Sequence, residues 1–225
     1  MAREGLVFGG RSVEIRVSIR SARTIAEALR AAGHEVVPIG IAQDGVWVDA
    51  ETAARTIAGD LDVLPPYGES IRASVARRLA TSVDVIFPIV HGTWGEDGTL
   101  QGLCEMLDLP YVGPGVTASA VAMDKLVCKR QLEASGVPVV AFRAFRRAEV
   151  DRDADACARA AAELPQPWFV KPSVGGSSVG VVRVDERGRL AEALRFAATL
   201  DEVVLVERGI VGRELECAVL GGREP

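Results

Sequence analysis

Lys171–Gly180 reads KPSVGGSSVG, a glycine- and serine-rich run joining two β-patterned stretches, Trp168–Lys171 and Val179–Val184. Small side chains let backbone N–H groups approach an oligophosphate closely, and a lysine at the edge adds a point charge. The run lacks the GxxxxGK[ST] spacing of a P-loop, and strands on both sides predict a hairpin flap rather than a loop feeding a helix. An ordinary hairpin turn needs only two residues. This run is longer and carries Lys171, which favours a phosphate lid over a plain turn.

Outward from the lid, the N-terminal side reads as alternating strands and helices. Leu6–Phe8 is a short apolar run ended by Gly9-Gly10; Ile19, Ala22, Ala26 and Leu29 follow at helical spacing, with Gly33 placed to stop the helix. A strand is predicted over Glu35–Ile39, then a hairpin turning at Asp44-Gly45 before Val46 and Val48. Pro65-Pro66 mark a loop, Val83–Phe87 a buried strand, Leu100, Leu103, Cys104 and Leu107 a helical stripe, and Tyr111-Val112 another short strand. Alternating strands and helices imply a mostly parallel sheet.

The pattern changes near Gly113-Pro114-Gly115, so a first domain is expected over 1–117. A second unit, 118–202, reads as helix Lys125–Ala134, strand Val137–Phe142, helix Asp153–Glu163, the lid with its two strands, and a further helix. The strand Val203–Glu207 opens a last segment, 203–225. The expected fold class is α/β: a parallel-sheet, Rossmann-like first domain followed by an α+β domain.

Composition narrows the partners. The 225 residues are 48% hydrophobic, enough for a real core, and carry a net charge of −5 with acids and bases well mixed. Without a Lys/Arg run, nucleic acid and anionic membranes are poor candidates, and a small-molecule partner is expected. No apolar stretch approaches the roughly 20 residues of a membrane span, and the start reads into a strand rather than a signal peptide, so a cytoplasmic location is expected. Cys104, Cys128, Cys157 and Cys217 form no CxxC pair, which argues against a zinc site or a disulfide framework.

Several single residues bear on chemistry. Lys125, in MDK, opens a helix where a cation could reach the same phosphates as the lid, although the helix dipole slightly disfavours it there. Glu207, ending VVLVE, and Glu214, in GRELE, read equally as solvated carboxylates or as acceptors for an adenine amino group and ribose hydroxyls. Glu14, in GGRSVE, follows the first strand, where the carboxyl ends of parallel strands form a ligand crevice, and could pair with a substrate ammonium. His91, in HGTWGEDG, follows the strand Val83–Phe87 and should open on that crevice; the crowded loop beside it favours function over a structural histidine. Glu96 and Asp97 begin and cap the next helix, with Glu96 holding the loop in shape.

Together, GGRSVE, HGTWGEDGTLQG, PYVGPGVTASAVAMDK, KPSVGGSSVG and GRELECAVLG resemble, in order and spacing, the D-alanine:D-alanine ligases of the ATP-grasp superfamily. The resemblance implies a pre-ATP-grasp first domain, an ATP-grasp central lid subdomain and the start of a C-terminal ATP-grasp lobe. It implies that Glu14 binds the ammonium of a first D-alanine, that Ser177 organises that site by hydrogen bonds, and that His91 lies beside the same substrate. Lys125 and Lys171 would hold ATP phosphates, with Gly175, Gly176, Ser177 and Ser178 closing over them, and Glu207 and Glu214 would contact adenine and ribose. The implied reaction phosphorylates the D-alanine carboxylate and lets a second D-alanine attack the acyl phosphate, making the dipeptide of peptidoglycan, commonly in a homodimer; the alternatives are a noncatalytic ATP-grasp-derived binding module and a ligase that takes D-lactate or D-serine as its second substrate. Two departures stand out. Ile15 and Arg16 follow Glu14 where the family usually has His-Glu or Arg-Glu, and the sequence ends at Gly221–Pro225 where the family continues to its oxyanion arginine and its Mg2+ ligands. Little turnover is therefore expected of this polypeptide alone.

Overall fold

A computed structural model gives the structure of residues 1–65 and 83–221; Pro66 of the expected Pro65-Pro66 loop and the terminal Gly222–Pro225 lie outside the described residues. The chain forms two compact units, residues 1–139 with 172–179, and residues 140–171 with 180–225. Thr117, expected near a domain boundary, lies in a helix within the first unit.

The first unit is built on a three-stranded parallel sheet of order β2-β1-β3, with β1 Arg3–Gly9, β2 Glu35–Ile41 and β3 Val85–Pro88. Successive side chains of a strand point to opposite faces, and both faces of β1 are buried. Leu6 and Phe8 pack with Ile19, Ala22 and Ala26 of α1 (Ile15–Ala31) and Ala53 and Ile57 of α2 (Ala50–Ala58). Val7 packs with Leu100 and Cys104 of α3 (Thr99–Met106) on the other face. That two-sided burial is why the strand reads as a continuous apolar run.

Gly9 ends β1 at φ +90°, where a Cβ would lie 2.2 Å from the Ile41 carbonyl oxygen, so only glycine turns the chain there. The expected turn at Asp44-Gly45 is present: Gly45 has φ +89° and Ala42 N–H donates to the Val46 carbonyl at 2.8 Å. Tyr111 makes a single parallel bridge to Ile86 rather than a strand, because Pro110 offers a carbonyl but no N–H to a ladder. Two further helices, α4 Val116–Met123 and α5 Lys125–Ala134, belong to the unit.

The second unit holds a four-stranded sheet of order β4-β7-β5-β6, with β4 Phe142–Arg146, β5 Trp168–Pro172, β6 Val182–Val184 and β7 Val203–Arg208. β5 and β6 pair antiparallel, as the lid pattern predicted, but β6 begins at Val182, three residues later than the expected Val179. The strand expected over Val137–Phe142 instead begins at Phe142, whose register against Glu207 fixes it; Pro138 interrupts the preceding residues and Val137 N–H closes the end of α5 on Leu132. α6 spans Arg147–Ala161, six residues earlier than expected, but Asp153 inside it is non-helical and its carboxylate accepts Ala156 N–H at 2.9 Å. The sequence thus located the cap of the second helical segment and missed the first. α6 and α7 (Leu190–Ala198) cover this sheet, with Val150, Leu190, Leu194, Val204 and Val206 in its core.

Candidate functional site

Three loops of the first unit converge after the carboxyl ends of its strands. Ser18, buried in α1, accepts Gly9 N–H at 2.8 Å and donates to the Ile89 carbonyl at 2.5 Å, locking the ends of β1 and β3 together. Ser12 donates to the His91 carbonyl at 2.7 Å and accepts Glu14 N–H at 3.2 Å. Neither serine was singled out from sequence. Ser18 is readable as the polar intruder in the apolar stripe Ile15, Ile19, Ala22, whereas Ser12 carries no pattern beyond its place in GGRSVE.

Glu14 is the N-cap residue of α1, yet its side chain makes no cap bond. Its carboxylate instead accepts the Ser177 hydroxyl, so the tip of the Gly/Ser loop lies on the crevice carboxylate. Gly176 follows the same contact closely: a Cβ there would stand 3.1 Å from Glu14 Oε2. Ser177 and Ser178 have φ +47° and +56°, and Gly175 +128°, a left-handed stretch that turns the chain over sharply.

Glu96 holds the HGTWGEDG loop as expected, but α3 begins at Thr99 with Gly98 as its N-cap, so Glu96 and Asp97 precede the helix instead of beginning it. Glu96 Oε2 accepts Gly92 N–H at 2.6 Å, while Asp97 accepts Trp94 N–H at 2.8 Å and Thr99 N–H at 3.0 Å at the start of α3. Gln101, also unremarked in the sequence, donates to the Gly95 carbonyl at 2.9 Å. His91 Nε2 is buried and has no hydrogen-bond partner among the described residues. It faces a cavity of about 430 Å³ lined also by Val90, Gln101, Met123, Lys125 and Gly176.

Lys125 opens α5 beside the loop. Its ammonium donates to the Gly175 carbonyl at 2.7 Å and the Ser173 carbonyl at 3.2 Å, so the expected phosphate-binding cation is already at the root of the expected lid. In the second unit, Lys171 of β5 and Glu207 of β7 form an ion pair at 2.7 Å, both largely buried. Glu214 is exposed in the irregular stretch 209–221. The structure therefore brings Glu14, Ser177, Gly175, Gly176 and Lys125 together in one unit and pairs Lys171 with Glu207 in the other.

Among the described residues no group of three or more His, Cys, Asp or Glu side chains is arranged to hold a metal ion, so magnesium has no assigned ligands there. Among them, too, no helix is long and apolar enough to cross a membrane.

The family described as D-ala D-ala ligase N-terminus matches residues 3–114, and that described as D-ala D-ala ligase C-terminus matches residues 131–225. A D-alanine–D-alanine ligase of Chloroherpeton thalassium is 40% identical over 98% of this chain and 64% of its own length. The structure of the D-alanine-D-alanine ligase from Coxiella burnetii aligns with TM-score 0.76 and 32% identity, over 95% of this chain and 65% of that one. The VanG D-Ala:D-Ser ligase from Enterococcus faecalis aligns with TM-score 0.73 and 32% identity, over 93% and 63%. The chain thus spans 58–64% of the length of these curated relatives.

Proposed function

The chain belongs to the D-alanine–D-alanine ligase family, and from that premise we propose that the protein it represents joins two D-alanines, with ATP as the phosphoryl donor. One observation carries the reading: the Ser177 hydroxyl of the glycine-serine loop bonds the crevice carboxylate of Glu14, while Lys125 holds the root of the same loop. A loop rich in open backbone N–H groups, a cation at its root and an anion under its tip suit a phosphorylated, amine-bearing substrate.

In this reading Glu14 binds the ammonium of the first D-alanine, Ser177 holds that carboxylate in place, and His91 borders the substrate. Lys125, Lys171 and the Gly175–Ser178 loop bind the ATP phosphates, with Glu207 and Glu214 on adenine and ribose. A carboxylate oxygen of the first D-alanine attacks the γ-phosphorus and ADP leaves. The neutral amine of the second D-alanine then attacks the acyl carbon, phosphate departs, and a proton is lost from nitrogen to give the dipeptide. The residues' part is to place cations where charge gathers on the transferring phosphoryl group and to keep water from an easily hydrolysed acyl phosphate. Magnesium, when bound, adds charge neutralisation on the phosphates.

The product would serve peptidoglycan assembly in the cytoplasm, and the same reading includes a homodimer. Likeness of fold to a D-Ala:D-Ser ligase supports D-serine as the alternative second substrate. The test is ADP release by the full-length gene product given ATP, Mg2+ and D-alanine, with D-serine and D-lactate as competing second substrates. No ADP above background with any of them removes the assignment.

A further inference from the structure

The root of the glycine-serine loop is joined to the start of α5 by a dense set of hydrogen bonds, all within the first unit. Ser173 is 1% exposed. Its hydroxyl donates to Asp124 Oδ1 at 2.5 Å and accepts Leu126 N–H at 3.1 Å. Asp124 Oδ1 also accepts Leu126 and Val127 N–H at 3.0 and 3.1 Å. The Ser173 carbonyl accepts Lys125 N–H at 2.9 Å and Lys125 Nζ at 3.2 Å, and Asp124 makes an antiparallel bridge with Val174.

Capping α5 requires only Asp124, whose carboxylate already accepts two first-turn N–H groups. Ser173 contributes something else: a buried, charge-assisted link from that cap to the loop. The residue between the two anchored positions is Lys125, so the link fixes where the loop lies over the Lys125 ammonium. The loop therefore has two ties of different kinds. Its root is held by a buried hydroxyl, whereas its tip is held by the exposed contact from Ser177 to Glu14, with Gly175 at φ +128° between them. An exposed tie breaks more readily than a buried one.

We propose that Ser173 and Asp124 are a positioning pair for the nucleotide site. They hold the loop root so that the Lys125 ammonium and the Gly175–Ser178 backbone face one phosphate, while the tip alone lets go to admit it. This rests on the proposed function for the identity of the ligand, but not for the tie itself.

The experiment uses the full-length gene product and three variants of it: Ser173→Ala, Asp124→Asn, which keeps an acceptor for Ser173 but not its charge, and Ser173→Ala combined with Lys125→Met. Amide hydrogen exchange over 174–179, thermal midpoint, and calorimetric affinity for a nonhydrolysable ATP analogue are measured on each, with Lys125→Met alone completing the cycle. Ser173→Ala is expected to speed exchange at Val174–Gly176 about tenfold and to weaken analogue binding roughly tenfold, the loss of one buried bond to a charged group. Asp124→Asn, which keeps the bond but loses its charge, should fall between wild type and Ser173→Ala in both. The affinity losses of Ser173→Ala and Lys125→Met should not add, because one acts through the other.

A Ser173→Ala protein with wild-type exchange at the root, or with an affinity loss fully additive to that of Lys125→Met, overturns the pairing. If Asp124→Asn and Ser173→Ala merely lower the thermal midpoint equally and leave affinity unchanged, the pair is structural and the inference is wrong. If the wild-type chain binds no analogue, the nucleotide reading itself fails, and exchange at the root still decides whether the pair positions the loop.

Discussion

The Ser177 hydroxyl donates to the Glu14 carboxylate, joining residues 163 positions apart in the chain. Glu14 sits at the N-terminus of α1, where a carboxylate would ordinarily cap the helix, and it makes no such bond. Its charge is committed to the crevice instead, and the left-handed turn at Ser177 and Ser178 is the backbone conformation that delivers the hydroxyl to it. Strained backbone of this kind persists where the surroundings hold it in place.

A substrate ammonium at Glu14 should be sensitive to the charge and less so to the hydroxyl. We expect Glu14→Gln to weaken D-alanine binding by roughly 10- to 100-fold, and Ser177→Ala by only a few-fold, since the first loses a charge-assisted pair and the second one of its supports. Titration of the labelled protein with D-alanine, followed by amide shifts near His91, measures both. Equal effects for the two variants would mean that the carboxylate does not meet an ammonium.

Gly95 governs the shape of the His91 loop. A Cβ at this position would lie 2.3 Å from the Val90 carbonyl oxygen and 2.5 Å from Val90 Cβ, too close for either to stay. Gly95→Ala should destabilise the protein by about 1–3 kcal/mol through overpacking and displace His91 with the loop. Urea unfolding gives the first quantity, and a crystal structure of the variant gives the second.

These two positions also show what the sequence made legible. The lid's flanking strands, the parallel sheet, and the places of Glu14, His91 and Lys125 follow from local pattern: apolar runs, turn glycines and residues at strand ends. The start of β4 did not, because Val137–Ala141 has the composition of a strand and only pairing with β7 decides that the ladder begins at Phe142. Ser12, Ser18 and Ser173 escaped notice for a related reason. Each acts by bonding a group distant in sequence, such as Ser18 to Ile89 or Ser173 to Asp124, and a lone serine carries no periodic signal of its partner.

Cys104 offers a test of the core on the second face of the parallel sheet. It is buried beside Val7 and Leu100, and that desolvation pushes its thiol up from 9.0 to about 11. In the unfolded chain the thiol ionises near its ordinary value, so between pH 9 and 11 the unfolded state releases a proton that the folded state keeps. This contribution to stability is complete below pH 9 and is lost as pH rises through about 11. Urea midpoints measured from pH 7 to 11 should therefore fall more steeply for wild type than for Cys104→Ala. Parallel profiles would place the thiol in contact with water.

The Lys171–Glu207 pair joins adjacent strands of the second sheet, with side chains only 19% and 11% exposed. At that depth neither charge is well solvated, so deleting one partner removes the other's counter-charge, while deleting both removes the imbalance. We expect Lys171→Met and Glu207→Gln each to cost about 2 kcal/mol, between the values typical of exposed and fully buried pairs. The double variant should cost clearly less than their sum, and a thermodynamic cycle from guanidinium unfolding measures the difference. The cycle matters for function because a lysine tied to a carboxylate carries less net charge to a phosphate than a solitary one. If Lys171 serves ATP while paired, Glu207→Gln should tighten the binding of inorganic triphosphate, which has no adenine to lose, and loosen that of the ATP analogue. Triphosphate binding unchanged by Glu207→Gln, with a cycle showing no coupling, would reduce the pair to a surface contact and remove Lys171 from the site.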